Sequence, residues 1–284
     1  MGEGAATNIV TPLEQDVTIP LLIEHHDGVD RVTLNRPESL NALDAGLIDA
    51  LNGYFEGLQR NRATRVVVLK GAGANFCAGL DLKQAMIRRA SQKEPPGVTE
   101  SLDSQRRIAE IVMLMRRCPQ PIIALVQGAA AGGGFALALA ADIRIASKSA
   151  RMNCAFIKLG LGGCDIGTSY FLPRLVGLSV ASELILTGRF IHADRALAVG
   201  LVSEVVEDGA LVAAAEPYIE AMMNASPVGL RLSKECLNMS VDAGSIEAVI
   251  AMEDRNQVLC SRSEEFKEGI RAFLEKRKPV YTKS

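Results

Sequence analysis

Two short apolar runs, Val66-Val67-Val68-Leu69 and Ile122-Ile123-Ala124-Leu125-Val126, each lead into a glycine-rich turn. Such a run, without polar alternation, reads as a strand buried on both faces, as in parallel sheets. Parallel neighbours need crossover connections, usually helical. The segments between supply them. Residues 44–60 set Leu47, Ile48, Leu51, Phe55 and Leu58 on one helical face, with Asp44 placed to cap the helix. Residues 103–117 form a second amphipathic pattern, and a small-residue helix starts at Gly133 and runs to Ala141, ahead of a strand over 142–146. In front of these, residues 21–26 and 29–35 read as two strands about an Asp27-Gly28 turn. Residues 92–100 are a polar, proline-rich loop. Strand–helix alternation of this kind predicts an α/β fold with crossovers of one hand.

After the apolar strand ending at Val206 the pattern changes to helix after helix over 209–276, with Ser226-Pro227 as a start and Gly244-Ser245 as a break. Three segments are expected: a disordered stretch over 1–18, an α/β core over 19–206, and a helical region over 207–284. A helical tail of this kind often completes a partner's surface, which suggests a homo-oligomer. A net charge of −2 and the absence of Trp argue against nucleic acid as a partner. Residues 1–16 carry no basic region followed by an apolar run, and the longest apolar stretch, 129–141, is short and glycine-rich, so neither a leader nor a membrane span is expected. Six scattered cysteines with no C-x-x-C pair read as reduced thiols of a cytoplasmic protein. His25, His26 and His192 have no ligand spacing, so no metal site is expected.

Chemistry concentrates in the two turns. Asn75-Phe76-Cys77-Ala78-Gly79-Leu80-Asp81-Leu82-Lys83 follows the first buried strand. Gly128-Ala129-Ala130-Ala131-Gly132-Gly133-Gly134 follows the second, and a helix starting at Gly133 would present unpaired N–H groups and the positive end of its dipole. Neither turn is a phosphate-cradling or dinucleotide fingerprint. Each alone reads equally well as close packing. Together they can bring two backbone N–H groups to one oxygen, an arrangement that stabilises charge developing on a carbonyl.

These residues resemble a known family. Asn41-Ala42-Leu43, 76–82, Pro121-Ile122-Ile123-Ala124, Gly128 with Gly132-Gly133-Gly134, Ala141-Asp142-Ile143-Arg144, Leu186-Thr187-Gly188, Ala198-Val199-Gly200-Leu201-Val202 and the ending Phe273-Leu274-Glu275-Lys276-Arg277 look like the enoyl-CoA hydratase/isomerase (crotonase) signature, in order along the chain. The resemblance implies a crotonase-like spiral of stacked ββα units followed by a helical trimerisation region, assembled as a trimer or a dimer of trimers. It implies an acyl-CoA thioester substrate, with coenzyme A entering as part of the substrate and no permanently bound cofactor. By position, Ala78 and Gly133 would donate the two oxyanion-hole N–H groups. Gly79, Leu80 and Asp81 would line the thioester and pantetheine end, Ala42 would lie near the adenine, and Lys276 would reach the CoA phosphates, from a neighbouring subunit if need be.

The acid–base apparatus departs from the family's. Hydratases of the family place two glutamates over the reacting carbons; the matching positions here are Ala136 and Phe156. The remaining acid of that region, Asp165, lies in a segment similar to that of dienoyl-CoA isomerases. Burial beside Leu161, Ile166 and Phe171 would raise its pKa and suit it to be a base; equally, it could cap the helix that follows. The leading expectation is an enoyl-CoA hydratase-like enzyme of fatty-acid or related lipid breakdown. The alternatives are a double-bond isomerase with Asp165 as single base and a non-catalytic acyl-CoA-binding paralogue.

Overall fold

The computed structural model describes residues 19–92 and 94–281; the stretch expected to be disordered, 1–18, lies outside them. The chain opens with the hairpin β1 (Leu21–His26) and β2 (Val29–Leu34), paired antiparallel across Asp27-Gly28, both in left-handed backbone. The helix α1 (Ala45–Leu58) buries Leu47, Ile48, Leu51, Phe55 and Leu58, and the Asp44 carboxylate accepts the Leu47 N–H at 2.8 Å, as the sequence predicts. β3 (Val66–Gly71) is the first apolar run. Two helices follow, α2 (Leu82–Ser91) and α3 (Val98–Arg117). The second begins five residues ahead of the expected 103, because Gly97 can serve as its N-cap.

The second half of the core repeats one unit. β4 (Ile122–Val126), β5 (Ala129–Ala131) and α4 (Gly133–Ala140) form one strand–strand–helix turn. β6 (Ile143–Ser147), β7 (Arg151–Asn153) and α5 (Thr168–Thr187) form the next. In each, one strand enters a six-stranded sheet ordered β1-β2-β3-β4-β6-β9 and the other a small sheet ordered β5-β7-β8. β8 (Ile191–His192), α6 (Ala193–Ala198) and β9 (Glu204–Val206) close the pattern. The earlier turns obey it in abbreviated form, through single parallel bridges Cys77↔Ala130 and Leu43↔Leu80. This is the expected spiral of ββα units. Every pairing in the large sheet beyond β1–β2 is parallel.

One boundary differs from the expectation. The helix α7 (Leu211–Met223) belongs to the core, because Leu211, Ala215 and Ile219 cover Val66, Val68, Ile123, Leu125 and Ile145 on the sheet's second face. The sheet needs both faces covered, so the core extends past 206. α8 (Pro227–Ser240), α9 (Ile246–Ser261) and α10 (Glu264–Leu274) follow, with Ser226, Ser245 and Ser263 as their caps. α8 is anchored by Lys234, whose ammonium is buried against Asp142 at 2.9 Å and the Gln120 carbonyl at 2.7 Å. Among the described residues one helix, Thr168–Thr187, has the length and apolar composition to cross a membrane. It is broken at Gly177, which is non-helical, and Phe171, Leu172 and Leu184 sit in the core. Neither half reaches the roughly 20 residues that a span needs.

Candidate active site

The two glycine turns meet. Gly79 holds φ +91°, and a Cβ there would stand 3.3 Å from the Gly133 nitrogen and 2.6 Å from the Ala131 carbonyl oxygen. The contact follows from the spiral: the bridges Cys77↔Ala130 and Leu43↔Leu80 bracket residues 78–79, and β5 carries the chain straight to Gly133. Gly134 is packed more tightly still, with a Cβ position 2.0 Å from the Cys77 carbonyl oxygen. The triple glycine therefore serves both close packing and an open approach to the backbone.

Hydrogen bonds decide which N–H groups remain. The Ala78 N–H, the expected donor, donates to the Leu40 carbonyl at 3.0 Å. Cys77 N–H goes to Ala129, and Asp81 N–H to Leu43. The Gly79 N–H has no backbone acceptor among the described residues, but it favours the thiolate of the buried Cys77 beside it. Leu80 N–H has no backbone acceptor among the described residues, and Gly133, as first residue of α4, has no intrahelical one. So the N–H of Gly133 is unpaired as expected and that of Ala78 is not, while Leu80, two residues on, has an unpaired N–H among the described residues. The sequence motif locates the turn; which of its amides is free depends on the left-handed Leu40, φ +53°, whose carbonyl takes Ala78.

The surroundings are apolar. A Cβ on Gly133 would meet Leu43 Cδ1 at 3.0 Å and Ile166 Cδ1 at 3.4 Å, and one on Gly132 would meet the Phe156 ring at 3.4 Å. Ala136 is fully buried and Phe156 nearly so. The two family glutamate positions are thus filled by groups that carry no proton. Cys77 is no nucleophile: complete burial pushes its thiol up to about 12, against the opposing pull of the Gly79 N–H and Arg36.

Asp165 is held beside this apolar wall. Its Oδ1 accepts the Ile166 N–H at 2.8 Å and the Gln105 side-chain amide of α3 at 2.6 Å. Burial raises its pKa above the ordinary carboxylate range, opposed by those two donors. It does not cap α5 with its side chain: Gly167 is the N-cap, without a side-chain bond, and it is the Asp165 backbone carbonyl that receives Thr168 Oγ1. Ile166 sits at φ +46°, a conformation that β-branched residues rarely hold. The Ile166 side chain lies against Gly133, and Asp165 is its neighbour in the chain. Gln105 carries no signal in the sequence, since its partner lies sixty residues away.

The other expected residues divide. Gly79 and Leu80 are in the turn itself. Asp81 is engaged structurally: it is 9% exposed, caps α2 through the Gln84 N–H at 3.0 Å and pairs with Arg36 at 3.0 Å. Burial opposes its ionisation, but the Gln84 N–H and Arg36 outweigh it and hold the carboxyl below the usual range. Ala42 is buried with its carbonyl on Arg36 at 2.5 Å. Lys276 is exposed beyond α10, in left-handed backbone, with no ion pair among the described residues. No cluster of three metal-ligating side chains occurs among the described residues.

A cavity of about 700 Å³ opens at Gly167, one residue from Ile166, between α3, α5 and α8. Ala109, Val112, Met113, Tyr170, Phe171 and Met239 give it an apolar lining. The helix that supplies Gln105 supplies one wall of this cavity from Ala109 onward, beginning about one turn further on.

Known proteins share this sequence pattern and fold. The family model described as enoyl-CoA hydratase/isomerase matches residues 24–284. The "Probable enoyl-CoA hydratase echA12" of Mycobacterium bovis is 36% identical over 99% of both chains. The 1,2-epoxyphenylacetyl-CoA isomerase of Escherichia coli is 35% identical over 90% of this chain and 95% of its own. An enoyl-CoA hydratase of Bacillus anthracis has a solved structure that superposes with TM-score 0.86 at 32% identity, covering 93% of this chain and all of that one.

Proposed function

The chain belongs to the enoyl-CoA hydratase/isomerase family, and from that premise we propose that it is a one-base double-bond isomerase of enoyl-CoA thioesters. The carrying observation is Asp165, a carboxylate of raised pKa next in the chain to Ile166, whose side chain packs against Gly133, while Ala136 and Phe156 fill the positions of the family's two glutamates. In this reading the thioester oxygen sits between Leu80 N–H and Gly133 N–H. The Asp165 carboxylate removes an α-proton from a 3-enoyl-CoA, and the electron pair moves onto the carbonyl oxygen. The two N–H groups hold the resulting dienolate. The same carboxyl, now neutral, returns the proton at the γ-carbon, giving the conjugated 2-enoyl-CoA. Oδ1 is occupied by Ile166 and Gln105, so Oδ2 is the oxygen that carries the proton. No water is consumed and no net proton is released.

Hydration is the second reading, and the hydratase names of several relatives favour it. It asks for a group to activate water and a second to protonate the α-carbon, and one carboxylate must then do both. The Escherichia coli relative is named an isomerase of an epoxide, which supports isomerisation of a CoA thioester as the reaction class. The apolar cavity at Gly167, one residue from the Ile166 that packs on Gly133, is the proposed acyl chamber.

We further propose a trimer or a dimer of trimers. Leu237, Ile250, Leu259, Phe273 and Leu274 of α8–α10 are exposed. Asn256 is buried with neither amide atom partnered among the described residues, in a groove of about 840 Å³ between α8 and α9. A neighbouring subunit would cover these groups and could bring Lys276 to the CoA phosphates. The six free cysteines fit the reducing compartment expected of a cytoplasmic enzyme.

The test is Asp165→Asn assayed with 3-enoyl-CoA, following the absorbance of the conjugated product. Wild type is expected to convert it, and the variant to bind acyl-CoA with unchanged affinity but without turnover. Turnover retained by the variant removes Asp165 from the chemistry.

A further inference from the structure

We propose that Arg36 is the positioning residue of the oxyanion hole, the group that fixes the direction of the Leu80 N–H. This rests on the reading of the hole given above, but not on which reaction the hole serves. Arg36 follows β2 and its side chain is 12% exposed. Its guanidinium reaches three acceptors on two separate turns. Nη1 donates to the Ala42 carbonyl at 2.5 Å, Nη2 to Asp81 Oδ2 at 3.0 Å, and Nε lies 3.2 Å from Asp44 Oδ2.

Those acceptors frame the turn on both sides. Asp44 caps α1 and Asp81 caps α2, so one cation ties together the starts of the two helices that flank residues 78–81. Between them run Leu43 N–H to Gly79 O at 2.7 Å, Asp81 N–H to Leu43 O at 3.0 Å and Ala78 N–H to Leu40 O at 3.0 Å. The free Leu80 amide sits inside this ladder. The backbone of Arg36 is fixed in turn: Asn41 Oδ1 accepts its N–H at 2.9 Å, and the Asn41 side-chain amide donates to the Ala72 and Asn75 carbonyls. The chain thus connects β2, the left-handed pair Leu40-Asn41 and the oxyanion turn.

A lysine cannot replace this. Its ammonium is a point charge on a flexible stem, whereas three acceptors in different directions need a planar fork. A donor displaced from its aim loses most at the transition state, where the oxyanion charge is largest.

The experiment uses the full chain and a saturated acyl-CoA carrying a heavy-carbon label at the thioester carbonyl. Difference infrared spectra report how far the carbonyl stretch falls on binding. Wild type is expected to lower it; Arg36→Lys and Arg36→Ala are expected to lose at least half of that fall. With 3-enoyl-CoA, kcat is expected to drop about ten- to a hundredfold with KM changed far less, and added guanidinium to recover part of the rate of Arg36→Ala. If the Arg36 variants do not fold, Asp81→Asn supplies the answer, since it keeps a cap acceptor for α2 but neutralises the partner of Nη2; it is expected to lose a smaller part of the fall. A folded variant with the full wild-type fall overturns the role of Arg36. A wild-type protein that binds but does not lower the stretch overturns the oxyanion-hole reading instead.

Discussion

Replacing Gln105 perturbs the proposed base without touching it. The Gln105 amide donates to Asp165 Oδ1 at 2.6 Å, and a donor to the charged form lowers a carboxyl pKa. A hydrogen bond to a charged group contributes about 1.5–3 kcal/mol. Asp165 is only half-buried, so solvent screening reduces this to roughly 1 kcal/mol. At about 1.4 kcal/mol per pH unit, Gln105→Leu raises the pKa by about 0.5–1 unit. A base works deprotonated, so the acid limb of the kcat/KM profile reports this pKa. The wild-type limb is expected above the ordinary aspartate value of about 3.9, because burial already raises the group. Gln105→Leu shifts the limb up, and the rate falls only at pH values below it. Gln105→Glu places a like charge there and shifts it further up, whereas Gln105→Lys shifts it down. A limb that stays in place in all three variants refutes the coupling, and one that moves down in Gln105→Leu reverses its sign.

Other outcomes follow from packing and the buried charges. Gly134→Ala sets a Cβ 2.0 Å from the Cys77 carbonyl oxygen, a backbone atom that cannot turn aside; we expect a loss on the order of 3 kcal/mol in chemical denaturation. Gly133→Ala meets the flexible ends of Leu43 and Ile166 at 3.0 and 3.4 Å, so the fold survives with a midpoint near wild type while kcat falls. Lys234→Ala leaves Asp142 and two backbone carbonyls without their buried cation; a loss of about 3–5 kcal/mol is expected. Sedimentation equilibrium is expected to return three or six times the chain mass, and a monomer at micromolar concentration would contradict the proposed role of α8–α10.

Much of this arrangement is legible in the sequence, and the rest is not for identifiable reasons. Buried strands announce themselves by unbroken apolar runs, and helix starts by Asp44 and Ser226, because both signals are local. The convergence of two glycine turns is also legible, since only close approach requires so many residues without side chains. The choice between Ala78 and Leu80 is not: it depends on the Leu40 carbonyl, whose direction is set by a left-handed backbone that no motif marks for a leucine. Gln105 and Arg36 act across sixty and forty-five residues, so their partners appear only once the chain is folded. The assignment of α7 to the helical tail fails for a related reason. Amphipathic periodicity shows that a helix has an apolar face but not which surface takes it, and here it is the uncovered side of the large sheet.

The account stands on one carboxylate moving one proton beneath two backbone amides. Mass spectra of the product formed from 3-enoyl-CoA in heavy water and in heavy-oxygen water test this most directly. The predicted result is a 2-enoyl-CoA of unchanged oxygen content, with at most partial deuterium at the α and γ carbons because the same carboxyl returns the proton it took. Heavy oxygen at the β-carbon, in a hydroxyacyl-CoA formed as fast as the conjugated alkene, would contradict it and make the enzyme a hydratase.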